Sequence, residues 1–192
     1  MSSLLVVDES IVRFLNGLLV SNTALGAMVF TISLYAVYVI PFVWLGWWFL
    51  ASKKTRYDLF SSMFAGLVAW EVINRIAKLF FERQRPIHEL PLKEILFERP
   101  ENSFPSDHAA FMSAIAFFFL LRGQKKAASW LFVLALAAGI ARVAVAVHYP
   151  SDILVGFLDG FLAAWVVSYF HEVLSKLIWT PLLRLAQKLH LA

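Results

Sequence analysis

From Thr23 to Ser52 the chain carries no charged residue. About 20 apolar residues carry a helix across the hydrocarbon of a bilayer, and in lipid only a helix or a closed barrel satisfies its own backbone hydrogen bonds. The run therefore predicts a transmembrane helix, kinked at Pro41, and commits the chain to a membrane. Composition points the same way. Of 192 residues, 60% are hydrophobic and 16% charged, against roughly half and a quarter in a soluble domain. No Pro-, Gly- or Ser-rich linker divides the sequence, so a single membrane-embedded domain over 1–192 is expected.

Further spans are expected at Tyr57 to Phe81, Asp107 to Leu121, Ala127 to Val147 and Ile153 to about Phe170. The fold class is all-α: an integral membrane helical bundle with about five transmembrane helices. Ahead of them, the segment DESIVRFLNGLL places Ile11, Phe14, Leu15 and Leu18 on one helical face and Glu9, Arg13 and Asn16 on the other. That pattern predicts an N-terminal interfacial helix. The tail, with Arg184 and Lys188, repeats it.

Lys and Arg accumulate in short cytoplasmic connections. They sit after the first span (Lys53, Lys54, Arg56), after the third (Arg122, Lys125, Lys126) and in the tail (Lys176, Arg184, Lys188). Parity puts all three groups on one side, so the C-terminus is expected in the cytoplasm. Trp44, Trp47, Trp48, Trp130 and Trp179 lie near the same ends and read as interfacial anchors. The 82–106 loop and the Arg142 to Asp152 region then face the extracytoplasmic side. With a net charge of only +4 and no long basic patch, nucleic acid is not an expected partner.

Three polar stretches interrupt the apolar chain, and parity brings them to one membrane face. The first is KLFFERQRP, with Lys78 and Arg85; the second is FPSDHAAF, with Ser106, Asp107 and His108; the third holds Arg142, His148 and Asp152. Polar groups at membrane depth are costly, so each predicts a function. Arg142, Arg85 and Lys78 can neutralise phosphoryl oxygens, and Ser106 with the first N–H groups of its helix forms an anion site. Pro150 stops the helix near His148. Asp152 is then placed to accept a hydrogen bond from one imidazole nitrogen, leaving the other free to attack phosphorus. His108 can protonate the leaving oxygen.

Lys78-x6-Arg85-Pro86, Pro105-Ser106-Asp107-His108 and Arg142-x5-His148-x3-Asp152 resemble the three signature motifs of the phosphatidic acid phosphatase type 2 superfamily. The resemblance implies phosphate binding by Lys78, Arg85, Ser106 and Arg142, with His148 as nucleophile, His108 as acid and Asp152 as orienting carboxylate. Two positions depart from the usual pattern: Asp107 replaces a glycine, and Ala141 replaces the serine before Arg142. Asp107 is expected to cap its helix or pair with a cation. The aspartate form, small size and outward site are most like the bacitracin-resistance type of undecaprenyl-diphosphate phosphatase in the bacterial cell membrane. That likeness implies hydrolysis of a polyprenyl diphosphate lipid to the monophosphate and inorganic phosphate, through a phosphohistidine, with recycling of the cell-wall lipid carrier.

Other readings stand beside these. Phosphatidic acid or phosphatidylglycerol phosphate is an alternative substrate, and a lipid-phosphate transporter would use the same cations without turnover. Glu71, Arg75 and Lys78 share a helical face, so Glu71 and Arg75 either pair and position Lys78 or touch the ligand directly. Asn74, four residues before Lys78, has similar standing. His88, His171 and His190 have nothing convergent around them in sequence. With no cysteine and no third ligand beside His108 and His148, neither a metal nor another cofactor is expected. No residue pattern states an oligomeric state.

Overall fold

The computed structural model describes residues 3–92 and 102–188; His190 and residues 93–101 of the 82–106 loop lie outside them. Helix α1 (Ser3–Ser21) leads into α2 (Thr23–Leu50), which Asn22 caps by accepting the Leu25 N–H at 3.0 Å. Helix α3 (Lys53–Phe80), capped by Ser52, widens into π-helical turns over Val68–Asn74. A short α4 (Pro86–Glu89) follows. Then come α5 (Asp107–Leu121), α6 (Lys125–Ala144), α7 (Pro150–Tyr169) and a broken α8 over 171–188. No strand occurs among the described residues; Gln84 and Asn102 form one isolated bridge.

Helices α2, α3, α6 and α7 are long and apolar enough to cross a membrane. Helix α5, the predicted third span, has 15 residues, about 22 Å of rise. It is buried on nearly every side from Ala109 to Phe119, so protein and not lipid sets its length. Helix α7 reaches it through Gly156 and Gly160. A Cβ at Gly160 would stand 2.1 Å from Ser113 Oγ and 2.7 Å from the Ala110 carbonyl, a close approach that only glycine permits.

Three sequence expectations change. In α1, Asp8, Val12, Asn16 and Leu19 are buried, whereas Ile11, Phe14 and Leu18 are exposed. The predicted polar face, at Asn16, turns inward because the bundle offers it partners; Asn16 Nδ2 donates to the Ala144 carbonyl at 3.2 Å. Of the five tryptophans read as interfacial anchors, Trp48 and Trp179 are buried and only Trp130 is strongly exposed. Instead of a belt, Trp44 stacks on Trp48, Trp47 on Phe119 and Trp179 on Phe60. Finally, α6 stops at Ala144, short of Val147. Val147 N–H donates to the Arg142 carbonyl and Ala146 N–H to that of Val143, with Ala146 at φ 58°. These bonds make a Schellman turn in which alanine takes the position glycine usually fills.

Candidate active site

That turn folds the chain back, so Arg142 and His148 are not separated by a helical rise. Arg142 Nη2 stands 3.1 Å from His148 Nε2, and Nη1 donates to the Ser33 carbonyl of α2 at 3.0 Å. Both side chains are buried. His148 Nδ1 lies 2.7 Å from the Ser103 carbonyl. A carbonyl only accepts, so this bond puts the imidazole proton on Nδ1 and the lone pair on Nε2.

Asp152 was expected to be the hydrogen-bond acceptor for His148. Its Oδ2 stands 3.6 Å from Nδ1, beyond a good hydrogen bond. That oxygen instead accepts the Tyr149 N–H at 2.8 Å, closing the first turn of α7, while Oδ1 accepts from Arg83 at 3.0 Å. Asp152 therefore caps its helix and supplies negative charge near the imidazole, and Ser103 fixes the tautomer. Burial foremost, then the positive charges of Arg142 and Arg85, hold the His148 pKa well below its ordinary 6.5; the Ser103 carbonyl opposes this and Lys78 adds to it. His148 is neutral at neutral pH.

Most of the other residues singled out in sequence lie around this centre. Arg85 donates to the Val147 carbonyl at 2.6 Å and the Asn102 carbonyl at 3.0 Å. Ser106, at the start of α5, donates its N–H to the Asp152 carbonyl at 3.2 Å. Its buried hydroxyl has no hydrogen-bond partner among the described residues, a costly state unless a ligand supplies one. His108 stands on the first turn of α5. Asp107 pairs with a cation, as expected: Lys78 Nζ lies 2.7 and 2.6 Å from its two oxygens.

Asn74, fully buried, donates to Asp107 Oδ1 at 2.9 Å. Lys78 is thus held across two helices by Asp107 and not by Glu71 on its own helix. Glu71 and Arg75 pair with each other, as their spacing predicted, on an exposed face.

Sequence reasoning missed Arg83, Asp8 and Ser103. Arg83 stands inside the first motif stretch, so its charge was visible, but its partners were not. His171 was also misread. It is buried beside Asp58 and Ser61 at the opposite end of the bundle, a convergence of α3 and α8 that sequence spacing does not reveal.

Residues 58–176 match the family described as the PAP2 superfamily. The chain is 33% identical to the Bacitracin transport permease protein BcrC of Bacillus licheniformis, over 85% of this chain and 83% of that protein. It is 25% identical to the Undecaprenyl-diphosphatase BcrC of Bacillus subtilis, over 90% of this chain and 88% of that one. Among solved structures, a transmembrane PAP2 type phosphatidylglycerolphosphate phosphatase from Bacillus subtilis superimposes with a TM-score of 0.67 at 24% identity, covering 92% of this chain and 90% of that one. This last likeness speaks to the fold alone.

Proposed function

The chain belongs to the PAP2 superfamily, as a multi-pass membrane lipid phosphatase, and we propose that within it the substrate is undecaprenyl diphosphate. His148 Nε2 attacks the terminal phosphorus. The bond from phosphorus to the bridging oxygen breaks, and that oxygen leaves on the lipid monophosphate with its electron pair and takes a proton from His108. Arg142 leaves Nε2 for the phosphoryl oxygens, which Arg85, Lys78, Ser106 and the N-terminus of α5 also bind. Water then gives a proton back to His108 and attacks phosphorus; the N–P bond breaks, its electron pair returns to His148 Nε2, and inorganic phosphate departs.

The observation that carries this reading is the His148 tautomer: Nδ1 is committed to Ser103, and Nε2 is turned toward a buried guanidinium. A binding protein needs cations but no oriented imidazole. That argues against the transporter reading, which the permease name of one relative would favour. The undecaprenyl head group is supported by the name of the Bacillus subtilis relative. The structural neighbour favours phosphatidylglycerol phosphate as the second reading.

The test is phosphate release by purified protein from undecaprenyl diphosphate, phosphatidic acid and phosphatidylglycerol phosphate in parallel, with His148→Ala beside it. We expect undecaprenyl diphosphate to be preferred and the variant to be inactive. Preference for a glycerophospholipid would replace the substrate, and an active variant would remove the nucleophile.

We place the site on the extracytoplasmic side, supported by the basic residues at the opposite ends of the helices. Ser103 is buried but Glu82 is exposed near the site, as is Lys126 at the other end. In intact cells an impermeant thiol reagent is expected to label Glu82→Cys and not Lys126→Cys. The reverse pattern would put the phosphatase in the cytoplasm.

A further inference from the structure

Helix α1 lies outside the residues that match the family, yet its buried stripe meets the turn that carries His148 from both sides. Asn16 Nδ2 donates to the carbonyl of Ala144, the last residue of α6. Eight residues earlier, about 12 Å along the helix, Asp8 Oδ1 accepts the Ser151 N–H at 3.0 Å in the first turn of α7, and Oδ2 accepts the Ser151 hydroxyl. Between them Val12, fully buried, packs in one cluster with Val143, Ala146 and Tyr149. The stripe therefore spans residues 144 to 151 like a splint, with His148 in the middle.

Arg83 completes the arrangement. Its Nη2 donates to Asp8 at 2.9 Å, and its Nη1 donates to Asp152 Oδ1 at 3.0 Å and to Ser151 Oγ at 2.7 Å. Its guanidinium carbon lies 3.7 Å from the centre of the Tyr149 ring, and the Tyr149 hydroxyl donates to Glu89 at 2.6 Å. One planar cation thus joins the carboxylate of α1 to the carboxylate beside the imidazole, in a geometry lysine's single ammonium cannot reproduce in full. Asp152 is left with Oδ2 turned toward His148 and Tyr149.

Resting on the phosphohistidine reading above, we propose that Asp8 and Arg83 are positioning residues for His148: they hold the 145–149 turn and the Asp152 carboxylate so that Nε2 meets phosphorus in line. Neither touches the phosphate cradle of Lys78, Arg85 and Arg142. Their loss acts on the reaction step and spares binding.

The experiment measures kcat, KM and product inhibition by inorganic phosphate for full-length Arg83→Gln, Arg83→Lys, Asp8→Asn and the Asp8→Asn/Arg83→Gln pair. Phe14→Ala, on the exposed side of α1, and His148→Ala serve as controls. A displacement of about 1 Å in reacting groups costs about 100-fold in rate. We expect kcat of Arg83→Gln to fall about 10- to 100-fold, and that of Asp8→Asn less, with KM and phosphate inhibition within about twofold of the starting protein.

Arg83→Lys should recover part of kcat. The double variant should be no slower than Arg83→Gln alone, because the two residues act as a unit. Unchanged kcat in folded Arg83→Gln and Asp8→Asn would overturn the proposal. So would losses that track only the amount of folded protein, or a rise in KM in place of a fall in kcat. Activity in His148→Ala is a different failure: it removes the phosphohistidine reading on which the proposal stands.

Discussion

Among the described residues a polar cluster stands at each end of the bundle, and both combine an aspartate, an arginine and a histidine. At the end opposite the site, Asp58 Oδ1 accepts from Arg122 at 3.2 Å and Oδ2 accepts from Gln124 at 2.7 Å. His171 Nε2 stands 3.5 Å from Asp58, and Nδ1 lies 2.9 Å from Ser61 Oγ. Trp179 Nε1, which can only donate, gives its proton to Ser61 Oγ at 2.8 Å. Ser61 Oγ, with two lone pairs, accepts from Trp179 whether it donates to His171 Nδ1 or accepts from it, so the charge of Asp58 beside Nε2, which also lies 3.4 Å from Ser175 Oγ, is what favours the imidazole proton there.

This cluster ties α3 to the α5–α6 turn and to α8. At the candidate site the same residue types leave the Ser106 hydroxyl without a partner among the described residues, and Arg142 and Arg85 donate to backbone carbonyls. Convergent charge by itself does not make a site. An unspent hydroxyl and guanidinia that can exchange carbonyls for phosphate do.

The largest effect that would sharpen this contrast comes from Asp58→Ala. Removing one partner of a buried ion pair leaves the other charge uncompensated and costs about 3–5 kcal/mol. The side chain of Asp58 is 2% exposed, against 30% for Arg122, and that partial exposure puts the loss toward the lower end. We expect a large drop in the unfolding midpoint in detergent, with kcat per folded molecule unchanged. The opposite result, full stability with lost turnover, would make the Asp58 cluster part of the catalytic machinery and dissolve the comparison.

Residue spacing points to most of the residues that the fold brings together at the candidate site, and to little of the other cluster. Lys78, Arg85, Ser106, Arg142, His148 and Asp152 each stand in a short motif, and the parity of the spans brings the motifs together. Pairing of Asp107 with a cation followed from its charge. Contacts between distant segments were not legible: Ser103 displacing Asp152 as acceptor, Arg83 bridging to Asp8, and the inward turn of Asn16. All three depend on how a helix or loop is rotated against its neighbours, which a periodic pattern fixes only where one face is plainly apolar. In α1 both faces carry apolar residues, so the partners on the bundle decided which face was buried. His171 failed for the same reason, since Asp58 lies over a hundred residues away in sequence. Gly156 and Gly160 were readable as a small-residue pair for close helix contact, and went unread.

The smallest effect separates the two histidines by pH. Burial, then the charge of Arg122, lowers the His171 pKa from its ordinary 6.5, with Asp58 and Glu172 opposing; His148 is lowered further by burial and its cations. In the unfolded chain both titrate near 6.5, so below that pH the unfolded state binds more protons than the folded one. Each neutral histidine therefore contributes stability that is present above pH 6.5 and is lost as pH falls through its folded-state value. The two histidines part company in activity. On the proposed mechanism His148 supplies the lone pair, so the acid limb of kcat should lie below pH 6.5, where free imidazole would already be protonated. His171→Gln should leave that limb in place while flattening the fall of stability below pH 6.5. Parallel measurements of kcat and unfolding midpoint against pH decide it. An acid limb that moves in His171→Gln would couple the two ends of the bundle and end their separation into a scaffold and a site.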